Sequence, residues 1–190
     1  MKILSLDKDV EKVLVTEEEI KEICNRLGKQ ISKDYEGKKL LLVSVLKGAV
    51  VFMADLMRSI TCDCEIDFMA VSSYSGAKTT GVVKFKKDLD INPDGCDILL
   101  VEDILDSGIT LAYLKNILVD RNAASIKVCA FLDKPANRQA DISADYVGKV
   151  IPDEFVIGYG LDYNEKYRNL PYVGVLSPSV YAGKQGKEQP

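Results

Sequence analysis

Apolar positions along this chain change period several times, and each change predicts an element. Ile20, Ile23, Cys24, Leu27 and Ile31 recur at intervals of three and four, which places them on one face of a helix. Thr16 with Glu19 has the spacing of a reciprocal capping pair, and Gly37 supplies a stop, so the helix is predicted over 17–36. Residues 40–46 are almost continuously apolar, as expected of a parallel strand buried on both faces. A helix is predicted over 49–59 and a strand over 66–73. Residues 74–81 mix Ser, Gly, Lys and Thr and predict an exposed loop, followed by a short strand over 82–85.

The second half repeats the alternation. A buried strand over 98–101 runs into Glu102-Asp103, a turn, and a helix over 110–120. Strands follow over 126–132, 145–147, 155–159 and 172–176, and from residue 183 the chain is a polar tail. Strand-helix alternation around buried strands predicts an α/β fold with a parallel sheet. In such folds ligands gather at the carboxyl ends of strands. Three polar groups stand there: Lys47-Gly48, the stretch from Glu102 to Thr110, and Asp133-Lys134.

Composition narrows the chemistry. The 190 residues fit one domain, with 47% hydrophobic and 28% charged residues. A net charge of −4 argues against a general nucleic-acid binder. There is no histidine, which removes Ser-His-Asp triads, Cys-His pairs and histidine metal sites. Any general base must be a carboxylate, lysine, tyrosine or cysteine. The five cysteines are scattered, with no C-x-x-C pair, so a reducing cytoplasm fits better than a disulfide framework. The opening Met-Lys and mixed polar residues show no signal peptide, and no apolar run has the length of a membrane span.

The most informative stretch is Val101-Glu102-Asp103-Ile104-Leu105-Asp106-Ser107-Gly108-Ile109-Thr110-Leu111. It leaves a strand and opens a helix, so Ser107, Gly108, Ile109 and Thr110 would aim backbone N–H groups and two hydroxyls at one point. Such a nest binds phosphate. The spacing is not that of a Walker loop. Two adjacent carboxylates beside a phosphate site conflict with it electrostatically unless a sugar diol or Mg²⁺ intervenes. The plainer reading is a capped helix with incidental acids on its turn.

This stretch resembles the 5-phosphoribosyl diphosphate (PRPP) motif of type I phosphoribosyltransferases. It departs from the motif at Ile109, where relatives often carry a polar or basic residue. Four further segments are similar to the hypoxanthine-guanine branch. These are Leu46-Lys47-Gly48-Ala49, Ser73-Tyr74 at the opening of a segment that resembles its lid, Lys134 after its strand, and the run from Phe155 to Glu165 with Arg168.

The resemblance implies a mostly parallel sheet flanked by helices, with a small purine-binding hood built from N- and C-terminal segments. It implies one domain over 1–182 with a polar tail over 183–190. Asp106 becomes the general base or proton partner for purine N7, as the histidine-free composition also favours. Glu102 and Asp103 would hold the ribose hydroxyls and, with Asp162, the Mg²⁺ carried by PRPP, directly or through water. Lys47 and Gly48, in a loop with a strained or cis peptide, would bind diphosphate with Arg168. Ser73-Tyr74 would open a lid that excludes water. Lys134 would read purine O6, Phe155 would stack on the ring, and carbonyls near Val156 and Asp162 would accept from a 2-amino group. The implied reaction joins hypoxanthine or guanine to PRPP, giving IMP or GMP, in a cytoplasmic homodimer or homotetramer. A xanthine-preferring enzyme and a PRPP-sensing regulator of nucleotide genes are the alternatives. The acidic charge and the absence of a basic face weigh against the regulator.

Overall fold

In the computed structural model, which describes residues 6–73 and 83–181, the apolar runs at 40–46 and 98–101 become neighbours. Numbered in chain order, the strands are β1 (Val10–Val15), β2 (Leu40–Val45), β3 (Cys64–Ser73), β4 (Val83–Lys87), β5 (Asp97–Leu105), β6 (Ser125–Asp133), β7 (Tyr146–Val150), β8 (Val156–Ile157) and β9 (Val173–Leu176). The helices are α1 (Glu17–Asp34), α2 (Val50–Ser59), α3 (Ile109–Asp120) and the single turn α4 (Pro178–Tyr181). Strands β2 and β5 pair in parallel, with Leu40 opposite Asp97 and Ser44 opposite Val101. They form the centre of a six-stranded sheet of order β4-β3-β2-β5-β6-β7. All its pairings are parallel except β3 with β4.

Strand side chains alternate between faces, and both faces are covered. Leu40, Leu42, Leu99, Val101, Cys129 and Phe131 pack with Ile20, Leu27, Phe52 and Leu56 of α1 and α2. Leu41, Val43, Ile98, Leu100 and Val128 pack with Leu111, Leu114 and Leu118 of α3. Double coverage is why these strands read as unbroken apolar runs. Helix α1 begins with both arms of the Thr16–Glu19 capping pair.

A second sheet of order β1-β9-β8 joins segments from opposite ends of the chain. Val10 lies opposite Leu176, and Val156 opposite Val175, both pairings antiparallel. Tyr159, Val173 and Val175 carry the larger core across to this sheet. The sequence pattern did not predict β1, whose Glu11 and Lys12 are exposed. The strand predicted over 155–159 shrinks to β8, because Gly158, Tyr159 and Gly160 all have positive φ and turn the chain. Strand β5 extends beyond 101 and carries Glu102 and Asp103 within the ladder, Glu102 opposite Ala130.

Candidate active site

The carboxyl end of β5 runs through Asp106-Ser107-Gly108 into α3. Gly108 adopts φ 76°, and a Cβ there would lie 2.6 Å from Ile142 Cγ2, so only glycine fits. No side chain caps α3, and the N–H groups of its first turn lack intrahelical partners. They are open to an anion, which the helix dipole favours. The turn is fastened from behind: Ser107 O accepts from the N–H groups of Gln139 (3.0 Å) and Ala140 (3.1 Å). Glu102, Asp106, Ser107, Gly108 and Thr110 line a cavity of about 110 Å³. Ile109 is exposed.

The Lys47-Gly48 turn crosses the end of β2. Its Leu46–Lys47 peptide is cis. A Cβ on Gly48 would fall 1.8 Å from Asp103 Oδ2, and one on Gly160 would fall 2.1 Å from Gly48 O. The turn is thus pressed between a buried carboxylate and the 158–161 loop, and neither contact leaves room for a side chain. The exposed Lys47 ammonium pairs with Glu165 at 3.0 Å.

Arg168 spans the same region. Its Nη1 donates to Gly160 O at 2.7 Å, and Gly160 N–H donates back to Arg168 O at 3.0 Å. Its Nη2 meets Asp162 Oδ1 at 2.7 Å and Glu165 Oε2 at 3.2 Å. Asp162 also accepts the Glu165 N–H at 2.8 Å, so it holds the tight turn that ends the loop.

Lys134 is a buried cation, 7% exposed. Its ammonium meets Asp153 Oδ1 at 2.9 Å and Glu154 O at 3.2 Å. Asp106 Oδ2 stands 3.7 Å away, beyond hydrogen-bond reach but close enough for charge attraction. The other Asp106 oxygen, Oδ1, is enclosed and has no hydrogen-bond partner. Phe155 is half exposed, its ring set edge-on to Tyr163 with centroids 5.6 Å apart, while Val156 is buried. Ser73 ends β3 in register with Val83, and Tyr74 lies outside the described residues.

The two neighbouring acids are held at electrostatic cost. Burial and then the Asp103 charge raise the Glu102 carboxyl well above the ordinary range, and its Oε2 is enclosed without a partner. Burial pushes Asp103 up to about 6, against the opposing pull of the Ile104 N–H and the Arg168 charge. Desolvated carboxylates of this kind favour a proton or a polar ligand. Glu102 lines the 110 Å³ cavity, whereas Asp103 faces Gly48. The Asp162 charge adds to the upward push on Asp103. Among the described residues no group of three Asp, Glu or Cys side chains could hold a metal ion without other ligands.

Two features lay beyond the sequence pattern. Arg138, four residues after Lys134, donates to the Asp106 carbonyl at 2.8 Å and pairs with Asp133. Tyr159 donates to Asp55 Oδ2 at 2.8 Å, tying the 158–161 loop to α2. A cavity of about 610 Å³ lies between α1 and α2 and meets this site at Tyr159 and Arg168.

An open helix terminus beside buried carboxylates, at the strand ends of a parallel sheet, defines a phosphate-handling α/β protein. A family model described as "Phosphoribosyl transferase domain" matches residues 13–164, and the chain belongs to that family. A Staphylococcus aureus hypoxanthine-guanine phosphoribosyltransferase is 51% identical over 178 residues, covering 93% of this chain and 99% of that protein. The "Bifunctional protein TilS/HprT" of Listeria monocytogenes is 50% identical over 94% of this chain, which spans 28% of that longer protein. Among solved structures, a Staphylococcus aureus hypoxanthine phosphoribosyltransferase superposes with a TM-score of 0.92 at 50% identity, covering 95% of this chain and 99% of the other. A Trypanosoma cruzi hypoxanthine phosphoribosyltransferase, solved as a ternary substrates complex, gives 0.88 at 41% identity, covering 92% and 99%.

Proposed function

We propose that this chain is a purine-salvage enzyme that transfers the phosphoribosyl group of PRPP to N9 of hypoxanthine or guanine, giving IMP or GMP and diphosphate. One observation carries the reading. A buried ammonium, Lys134, and a carboxylate with an unpartnered oxygen, Asp106, stand 3.7 Å apart beside the open phosphate turn. A base-reading donor, a proton acceptor and an anion cradle thus share one strand-end gap.

Lys134 has three N–H donors. The Glu154 carbonyl and the Asp153 carboxylate take two, leaving one for an oxygen. Purine O6 accepts such a bond, and the adenine amino group does not. Asp106 takes the proton at N7, the α3 terminus holds the 5′-phosphate, and Lys47, Gly48 and Arg168 receive diphosphate. Phe155 stacks on the base. Carbonyls near Val156 and Asp162 accept from the guanine amino group. The segment opened by Ser73-Tyr74 covers the site against water.

The enclosed, unpartnered Glu102 oxygen and the desolvated Asp103 fit ribose hydroxyls and a Mg²⁺ ion that arrives with PRPP. When bound, that ion would neutralise charge on the departing diphosphate. Asp162, which Arg168 and the Glu165 N–H also engage, is the third carboxylate for that ion. We read 1–182 as one phosphoribosyltransferase domain with a polar tail over 183–190, working in the cytoplasm as a homodimer or homotetramer. No helix among the described residues is long and apolar enough to cross a membrane.

The test is diphosphate release from PRPP and Mg²⁺ with hypoxanthine, guanine, xanthine, adenine or uracil supplied separately. Hypoxanthine and guanine should both release diphosphate, and excess EDTA should stop the reaction. Comparable release with adenine, or full activity in EDTA, contradicts the assignment.

A further inference from the structure

The segment that follows β6 serves both halves of the site at once. It begins with Lys134, whose N–H donates to Leu105 O at 3.0 Å. It ends at Gln139 and Ala140, whose N–H groups hold Ser107 O. Arg138 lies between them, half-buried, and its guanidinium is a two-pronged bridge. Nη1 donates to the backbone carbonyl of Asp106 at 2.8 Å, and Nη2 pairs with the Asp133 carboxylate at the end of β6. The Arg138 side chain also backs Gly108: a Cβ on that glycine would lie 3.3 Å from Arg138 Cδ. One side chain thus touches the first and third residues of the turn and fixes the gap between the ends of β5 and β6.

We infer that Arg138 is a positioning residue. It holds the Asp106-Ser107-Gly108 turn in the shape that presents its N–H groups to phosphate, although it touches no substrate itself. The inference rests on the reading of this turn as the 5′-phosphate cradle. A planar fork can hold a carbonyl and a carboxylate in fixed directions together, which an ammonium on a flexible stem cannot do. The Asp106 carbonyl belongs to the same residue as the proton-accepting carboxylate. The fork acts on the backbone of that residue, while the carboxylate keeps its place beside Lys134. An ordinary fold-stabilising ion pair would not distinguish one ligand from another. A positioning pair should, because its loss relaxes one turn and leaves the purine side in place.

The test compares the affinities of GMP and guanosine, which differ only in the 5′-phosphate, by titration calorimetry with wild type, Arg138→Lys and Arg138→Met. Wild type should bind GMP far more tightly than guanosine. Both variants should lose roughly 10–100-fold in GMP affinity, the worth of a charge-assisted hydrogen bond, while guanosine affinity stays within about twofold. If the Arg138 variants fail to fold, Asp133→Asn carries the test, because it loosens the same fork from its other end. It should give the same selective loss, about 10-fold. Equal losses for GMP and guanosine, or no loss for either, overturn the positioning role. A wild type that binds both ligands alike would instead reject the phosphate cradle itself, and Arg138's role with it.

Discussion

Replacing Asp103 with Asn should make the ligand-free protein more stable, although Asp103 sits in the proposed site. The residue is 9% exposed, and burial lifts its pKa from 3.8 to about 6. A tenfold change in proton affinity is worth about 1.4 kcal/mol, so the ionised form costs the fold about 3 kcal/mol. The folded chain binds this proton more tightly than the unfolded chain. Stability therefore declines as pH rises from about 4 to about 6, and the whole penalty is present above about pH 7. The Asn amide keeps an oxygen for the Ile104 N–H and carries no charge. At about 2–4 °C per kcal/mol for a chain of this size, Asp103→Asn should raise the melting temperature by roughly 6–12 °C at pH 8. The gain should roughly halve by pH 5, where the wild-type carboxyl is mostly protonated when folded. The assay is thermal unfolding of both proteins at pH 5 and pH 8, without PRPP or divalent metal. The same variant should need more PRPP for half-maximal rate, since one anionic acceptor for the ribose is gone. A lower melting temperature at pH 8, or a gain equal at both pH values, would falsify the claim that a desolvated charge is stored there.

Asp106→Asn should lower turnover by about 10²–10⁴-fold, the usual worth of a placed base, with PRPP affinity little changed; undiminished turnover removes the proton role. Lys134→Ala should cost hypoxanthine and guanine most of their kcat/KM and narrow the gap to adenine. In wild type that gap should reach about 10⁴-fold or more, and similar adenine and hypoxanthine rates would reject the reading. Asp67 is buried and accepts N–H groups from Phe68, Asp90 and Ile91 beside Lys87. Burial pushes its pKa up, but those donors outweigh it and hold the carboxyl below the ordinary range. Asp67→Asn should lower unfolding stability by about 1–3 kcal/mol at pH 7. The deficit should shrink as pH falls below about 4 and the wild-type carboxyl protonates; urea melts at pH 7 and pH 3.5 check both points, and a deficit independent of pH counts against it.

Elements governed by local chemistry were readable from the chain. The Thr16–Glu19 pair caps α1 as its spacing requires, and the apolar run at 40–46 is β2 with little change. The turn from β5 into α3 was legible because strand, small residues and helix follow one another without a break. Errors arose where distant contacts decide. Only Val15 is buried in β1, so alternation is weak, and its partner β9 is far along the sequence. The β5 ladder continues through Glu102 and Asp103 because β6 lies beside it to Asp133, which a reading based on polarity stops short of. Positive φ at Tyr159, a bulky residue, could not be anticipated from residue type. The fork of Arg138 onto Asp133 and Asp106 joins three loop and strand-end positions with no periodic signature.

The hood sheet has a consequence for a chain emerging from the ribosome. Every strand of the six-stranded sheet precedes residue 151, whereas β8 and β9 come later. A nascent chain can thus complete the turn between β5 and α3, its Arg138 backing and Lys134 while Asp153, Glu154 and Phe155 are still being made. Throughout that interval β1 waits beside an absent neighbour, and its exposed Glu11 and Lys12 are the kind of edge charges that discourage wrong pairing. A chain stalled just after β7 would hold the Lys134 ammonium without the Asp153 carboxylate and the Glu154 carbonyl that orient it. The cation and its aim are thus made apart: the ammonium comes first, and the acceptors that fix its direction follow.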